Sequence, residues 1–166
     1  MPHFPAATVR VVDVYPYRPR EDGSREFLIL HRAPEHAYAG SWRMVGGKID
    51  AGETAWQAAL RELAEETGLA VRRFWSLPSV NAFYEWTRDT VALAPAFAAE
   101  VAGEVALCDE HDAFAWLPAD AAAARLKWPE QRRLLRLADA LLADGELAPA
   151  WEIPLPHPPD LAALGL

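Results

Sequence analysis

Apolar and polar positions alternate in short runs over the first fifty residues, then change period. "TVRVVDVYPY" (8 to 17) and "EFLILHR" (26 to 32) are β-branched or apolar runs on either side of "RPREDGSR", whose Pro, Asp-Gly and Ser are turn residues. They predict two strands joined by a hairpin-like loop. After the loop "APEHAYAGS", "WRMV" predicts a short strand running into Gly46-Gly47, a pair that frees the backbone for positive φ and for close approach to a ligand. At Thr54 the spacing becomes helical. Thr54 and Gln57 form a T-x-x-Q capping box, Ala55, Ala58, Ala59, Leu60 and Leu63 favour helix, and Gly68 stands where a terminating glycine belongs, so a helix is expected over 54 to 67.

Beyond it, "AVRRFWSLPSV" and "VALAPAFAAEV" predict strands separated by an aromatic insert, "NAFYEWTRDT". "AFAWLP" predicts a further strand and "ADAAAARL" a short helix. From Pro129, Leu134, Leu135, Leu137, Leu141 and Leu142 recur at helical spacing up to Gly145. The tail "APAWEIPLPHPPDLAALGL" is Pro-rich and expected to be extended, packed on the domain or flexible. The organisation expected is one domain over 1–148 and a tail over 149–166.

Composition narrows the function. A chain of 166 residues suits one domain, and its single cysteine, Cys108, can neither close an intramolecular disulfide nor pair for a zinc knuckle. The N-terminus has no signal-peptide pattern, and the most apolar stretch (91 to 107) carries Pro95, Glu100 and Glu104, so a soluble cytoplasmic protein is expected. A net charge of −8 without a basic run argues against nucleic acid or an anionic membrane as partner.

The sharpest feature is "RELAEET". On a helix, Glu62, Glu65 and Glu66 share an arc of about 100°, with Arg61 as the one nearby cation. Like charges at that spacing repel, and three carboxylates beside a glycine turn make an oxygen site of the kind hard divalent cations choose.

The full stretch "GGKIDAGETAWQAALRELAEETGL" carries Gly47, Glu53, Arg61, Glu62, Leu63, Glu65, Glu66, Gly68 and Leu69 at every fixed position of G-x5-E-x7-R-E-U-x-E-E-x-G-U, where U is a bulky aliphatic. It resembles the signature of the Nudix hydrolases. The resemblance implies a Nudix-type α/β/α sandwich with a mixed, largely antiparallel sheet, the acidic helix on one side and the C-terminal helix on the other. It also implies Mg²⁺, with Mn²⁺ as a substitute, held by Glu62, Glu65, Glu66 and the Gly46 carbonyl, with Glu62 as the base and Arg61 paired with Glu53 behind the metal. Glu110, in "DEHDAFAWL", is carried over as a further ligand, and Arg32 as a phosphate-contacting arginine. The implied reaction is attack of water on a nucleoside diphosphate linked to a group X. The C-terminal third is similar to both the dihydroneopterin triphosphate and the dinucleoside polyphosphate branches, so a nucleotide or pterin polyphosphate is the expected small-molecule partner. A homodimer stays open, and a non-catalytic nucleotide-binding module is the competing class.

Other residues divide between bland and functional roles. Lys48 is either solvated or in contact with phosphate. Trp75, Phe83, Tyr84 and Trp86 either pack in the core or stack a purine or pterin ring, and Tyr84 falls where the dinucleoside polyphosphate branch carries a tyrosine. His31, His36 and His111 read as surface or packed histidines, His111 least so because it adjoins Glu110. Cys108 reads as a small hydrophobe.

Overall fold

The computed structural model describes residues 4–145, 147 and 149–156. Seven strands form one sheet: β1 (Ala6–Thr8), β2 (Asp13–Pro19), β3 (Arg25–Arg32), β4 (Trp42–Arg43), β5 (Ala70–Glu85), β6 (Thr90–Ala102) and β7 (His111–Leu117). Three helices accompany it: α1 (Ala55–Thr67), α2 (Ala119–Arg125) and α3 (Pro129–Asp144). β6 runs parallel to β1 and β2, whereas the β2–β3, β3–β4, β3–β7 and β5–β6 pairs are antiparallel. The sheet is mixed and largely antiparallel, as expected.

β3 explains why the architecture has three layers. "FLIL" is apolar at every position because both faces are covered. Leu28 and Leu30 join the cluster under α1 with Leu60, Leu63 and Phe97, while Phe27 and Ile29 join the cluster under α2 and α3 with Tyr15, Trp75, Leu134 and Leu135. A strand buried on both faces reads as a continuous apolar run rather than an alternating one. α1 ends where its caps dictate. Thr54 Oγ1 accepts from the Gln57 N–H, the Gln57 side chain accepts from the Thr54 N–H, and Gly68 closes the helix in the left-handed conformation at φ 65°.

Three expectations need correction. The run from 8 to 17 is not one strand, because residues 10 to 12 pair with the glycine loop instead. The Val12 N–H donates to the Gly47 carbonyl (2.9 Å), and the Ile49 N–H donates to the Arg10 carbonyl (2.9 Å). The aromatic segment is not an insert between strands. β5 continues through Phe83 and Tyr84, paired with Ala92 and Val91 of β6, and its register shift between Ser76 and Val80 accommodates Pro78, which cannot donate to a ladder. Finally, neither Gly46 nor Gly47 has positive φ. What both positions require is space. A Cβ at Gly46 would collide with the Val12 carbonyl, and one at Gly47 with the Glu62 carboxyl group.

Part of the Pro-rich tail lies on the sheet. Glu152 bridges to Trp75, the Ile153 N–H donates to the Phe74 carbonyl (2.8 Å), and Arg73 holds Glu152 through two bonds of 2.9 and 3.0 Å. This covers an otherwise open edge of β5. Residues 157–166 lie outside the described residues. No described helix is long and apolar enough to cross a membrane.

Candidate metal and phosphate site

α1 presents its acids at the end of the sheet where the glycine loop returns. The loop is pinned from both sides, by the backbone of residues 10 to 12 and by Arg61. Arg61 Nε and Nη2 donate to the two carboxylate oxygens of Glu53 at 2.9 Å each, and Nη2 also reaches the Lys48 carbonyl at 2.8 Å. This forked pairing fixes the loop to the helix, and it holds Glu53 below the usual carboxylate range. From Nη1, Arg61 also reaches Glu62 and Glu65, each at 3.1 Å.

The three helix glutamates sit in different surroundings. Glu65 is exposed, Glu62 is partly buried, and Glu66 is only 4% exposed. Burial raises the pKa of Glu62 and is the main cause that pushes Glu66 up to about 8, with the neighbouring charge of Glu110 acting in the same direction on both. Glu66 Oε2 accepts the Gly46 N–H at 3.2 Å, and its other oxygen lies 4.0 Å from His111 Nε2. That nitrogen is buried without a hydrogen-bond partner among the described residues. Burial, with Arg43 and Arg32 nearby, lowers His111 to about 4, so its ring is neutral and supplies no counter-charge.

Glu110 pairs with Arg32 at the mouth of the same region, which holds its carboxyl below the usual range. Arg32 Nε also donates to the Ala37 carbonyl at 3.3 Å. The Gly46 carbonyl accepts from Arg43 Nη2 at 3.2 Å. Lys48 is exposed, and Tyr84 is 57% exposed with its hydroxyl donating to Asp89 at 2.7 Å. No three acidic, histidine or cysteine side chains among the described residues converge as a closed ion cage. Their positive partners are the guanidinium groups of Arg61, Arg32 and Arg43.

The residues nevertheless fit a hard divalent cation. Glu65 and Glu110 act to raise Glu62, Glu62 and Glu110 act to raise Glu66, the donors are all oxygen, and among the described residues no lysine or arginine forms an ion pair with the buried Glu66. The requirement for glycine at 47 points the same way, since only a bare backbone lets the Glu62 carboxylate lie against the loop.

Beside the carboxylates opens a cavity of about 580 Å³, lined by Arg43, Gly47, Asp13, Asn81, Tyr84 and Trp128 among others. Its floor carries a second buried acid. Asp13 accepts from Asn81 Nδ2 at 2.8 Å and from Gln131 Nε2 at 2.9 Å, and burial raises its pKa despite these bonds. Sequence reasoning missed Arg43, Asp13, Asn81 and Gln131. The available signal was a lone acid inside the apolar run "VVDVYPY" and an arginine three residues before the glycine pair.

A NUDIX domain family model matches residues 7–138. The chain belongs to the Nudix family. Among the relatives it matches is an octanoyltransferase of Myxococcus xanthus, 35% identical over an alignment of 125 residues that covers 68% of this chain and 32% of the other. An 8-oxo-(d)GTP phosphatase of Mycolicibacterium smegmatis is 35% identical over 111 residues, 67% of this chain and 33% of the other. The chain thus spans about a third of the length of these curated relatives. In three dimensions it superposes on a NUDIX hydrolase of Listeria monocytogenes with a TM-score of 0.70 at 25% identity, covering 82% of this chain and 96% of that one.

Proposed function

We propose that the protein is a Mg²⁺-dependent pyrophosphohydrolase of a nucleoside diphosphate linked to X, with a nucleoside triphosphate or a dihydroneopterin triphosphate as the substrate type. The observation that carries this reading is the buried Glu66, pushed up to about 8 beside Glu62 and Glu110, in a site whose bound arginines already serve other carboxylates. Glu62, Glu65, Glu66 and the Gly46 carbonyl would hold the ion, with Glu110 turning from Arg32 to join them. Mn²⁺ would substitute. The ion supplies Lewis-acid polarisation of phosphoryl oxygens and a lower pKa for bound water.

The chain's own residues do the rest. Glu62 accepts the proton of the attacking water, its basicity raised by burial and tempered by Arg61. Arg61 and Glu53 keep the loop in register with α1. Arg32, once released by Glu110, offers a planar fork to phosphate oxygens; Lys48, exposed next to the glycine pair, would reach the polyphosphate, and Tyr84, which lines the cavity, the ring. The similarity to an 8-oxo-(d)GTP phosphatase supports a nucleoside triphosphate. Residues 1–148 would form the catalytic domain.

The test is a screen with Mg²⁺ of nucleoside triphosphates, 8-oxo-dGTP, dihydroneopterin triphosphate, dinucleoside polyphosphates and nucleotide sugars, with products identified by mass. Release of pyrophosphate or phosphate that stops in Glu66→Gln is the expected result. Binding of nucleotide without turnover across the panel, indifferent to metal, would make the protein a binding module instead.

A further inference from the structure

We propose that Asp13 and Asn81 select a ring edge made of adjacent N–H donors, the 2-amino-4-oxopyrimidine edge that guanine and pterins share. This ring selectivity rests on the hydrolase reading for where the polyphosphate lies, but the recognition itself comes from the cavity floor.

The floor carries two acceptor groups, the Asp13 carboxylate and Asn81 Oδ1. Asp13 is 6% exposed, and each of its carboxylate oxygens takes one side-chain amide donor, which leaves acceptor capacity on both. Gln131 is oriented at both ends. Its Nε2 donates to Asp13, and its Oε1 accepts the Met44 N–H at 3.2 Å. Asn81 is oriented at one end only. Turning its amide over would set Oδ1 against the Asp13 carboxylate, so Nδ2 stays on Asp13 and Oδ1 remains an acceptor. Asn81 is also 6% exposed, it lines the cavity, and Oδ1 has no hydrogen-bond partner among the described residues. Buried polar atoms without partners are rare in folded proteins, and one beside a ligand-sized cavity asks for a donor from the ligand.

The walls favour a flat ring. Tyr38 meets Trp128 edge to face at 5.0 Å on one side, and Phe83 and Tyr84 at the end of β5, with Trp86 in the turn after it, stand exposed at the other. About 580 Å³ is the size of a small-molecule site. Arg43 and Gly47 line the same cavity and lead to the carboxylates of α1.

The chemistry separates ring types. Guanine and pterin present a ring N–H next to an exocyclic amino group, two donors for the Asp13 carboxylate and Asn81 Oδ1. Adenine presents its amino group next to a ring nitrogen whose lone pair would face the acceptors. A site that pairs polar groups with one ligand strongly rejects an analogue that leaves them unpaired.

The test measures kcat/KM with Mg²⁺ for GTP, dihydroneopterin triphosphate, ITP and ATP, together with metal-free binding of GMP and AMP by calorimetry. GTP or dihydroneopterin triphosphate should exceed ATP by at least about tenfold, and the two arms decide which carries the ring. ITP, lacking the exocyclic amino group, should fall between GTP and ATP. In Asn81→Leu the GTP-to-ATP ratio should shrink to about threefold or less, chiefly through KM. Equal or better use of ATP by the unaltered protein overturns the proposal, and this arm needs no variant to fold. A folded Asn81→Leu that keeps the full preference overturns the role of Asn81. If nothing is hydrolysed, the hydrolase reading fails alone. The floor is then judged by binding, where GMP tighter than AMP supports it and equal affinities overturn it.

Discussion

Glu66 and Asp13 are both buried acids within reach of the same glycine loop, yet the protein treats them differently. Asp13 receives two side-chain amide donors, Asn81 and Gln131, and the second of these is itself anchored by the Met44 N–H. Glu66 receives one backbone N–H, from Gly46, and faces a neutral histidine at 4.0 Å. A carboxylate that is meant to stay as it is collects donors from the protein. One that is short of them is poised for a ligand with positive charge. On the proposed reading, the same contrast separates the carboxylates of α1, offered to metal and phosphate, from the cavity beside them, offered to a ring.

Four changes test the difference between the two acids and their surroundings. The largest effect should come from Glu66→Gln, which is expected to lower Mg²⁺-dependent kcat by at least about 10³-fold while the metal-free protein melts no lower than before. Steady-state kinetics and calorimetric melting check both halves. Next, Arg61→Lys keeps the charge but loses the fork that grips both oxygens of Glu53, and should cost about 10–100-fold in activity or in metal affinity. A Mg²⁺ titration of the rate separates the two.

Asp13→Asn should behave oppositely to Glu66→Gln. Its new amino group must face one of the two amide donors, so folding stability should drop by about 1–3 kcal/mol, read from urea denaturation. The smallest effect is in the pH dependence. The Glu66 pKa is pushed from an ordinary 4.5 up to about 8 in the folded protein, so between those values the folded state binds more protons than the unfolded one. Its contribution is intact below 4.5 and is lost as pH rises towards 8. His111 works from the other side. With its pKa lowered from 6.5 to about 4, it costs stability as pH falls through that window. Metal-free protein should therefore melt roughly 3–5 °C lower at pH 8 than at pH 6, Mg²⁺ should restore the difference, and Glu66→Gln should remove it.

How much of this was legible in the chain follows from sequence distance. α1 could be read almost to the residue, because its capping box, apolar face and Gly68 are local features. The pairing of Arg61 with Glu53, eight residues away, came with the family signature. The double-sided burial of "FLIL" was readable as a strand but not as the middle layer. The floor of the cavity was not readable, since Asp13, Asn81 and Gln131 stand 68 and 118 positions apart and only the folded sheet and the start of α3 bring them together. The aromatic segment misled for a related reason. Its turn residues lie at 86 to 89, so Phe83 and Tyr84, which looked like an insertion, are the end of a strand that carries them to the cavity rim. The role of the glycine pair was half legible: close approach was expected, but what approaches Gly47 is the carboxylate of Glu62.

The most direct measurement is a crystal soaked in Mn²⁺ and examined by anomalous scattering. An ion peak bounded by Glu62, Glu65, Glu66 and the Gly46 carbonyl, with Arg43 displaced from that carbonyl, is the result expected. Carboxylates left on their arginines with no peak between them and Gly46, at Mn²⁺ concentrations that saturate turnover, would contradict the account.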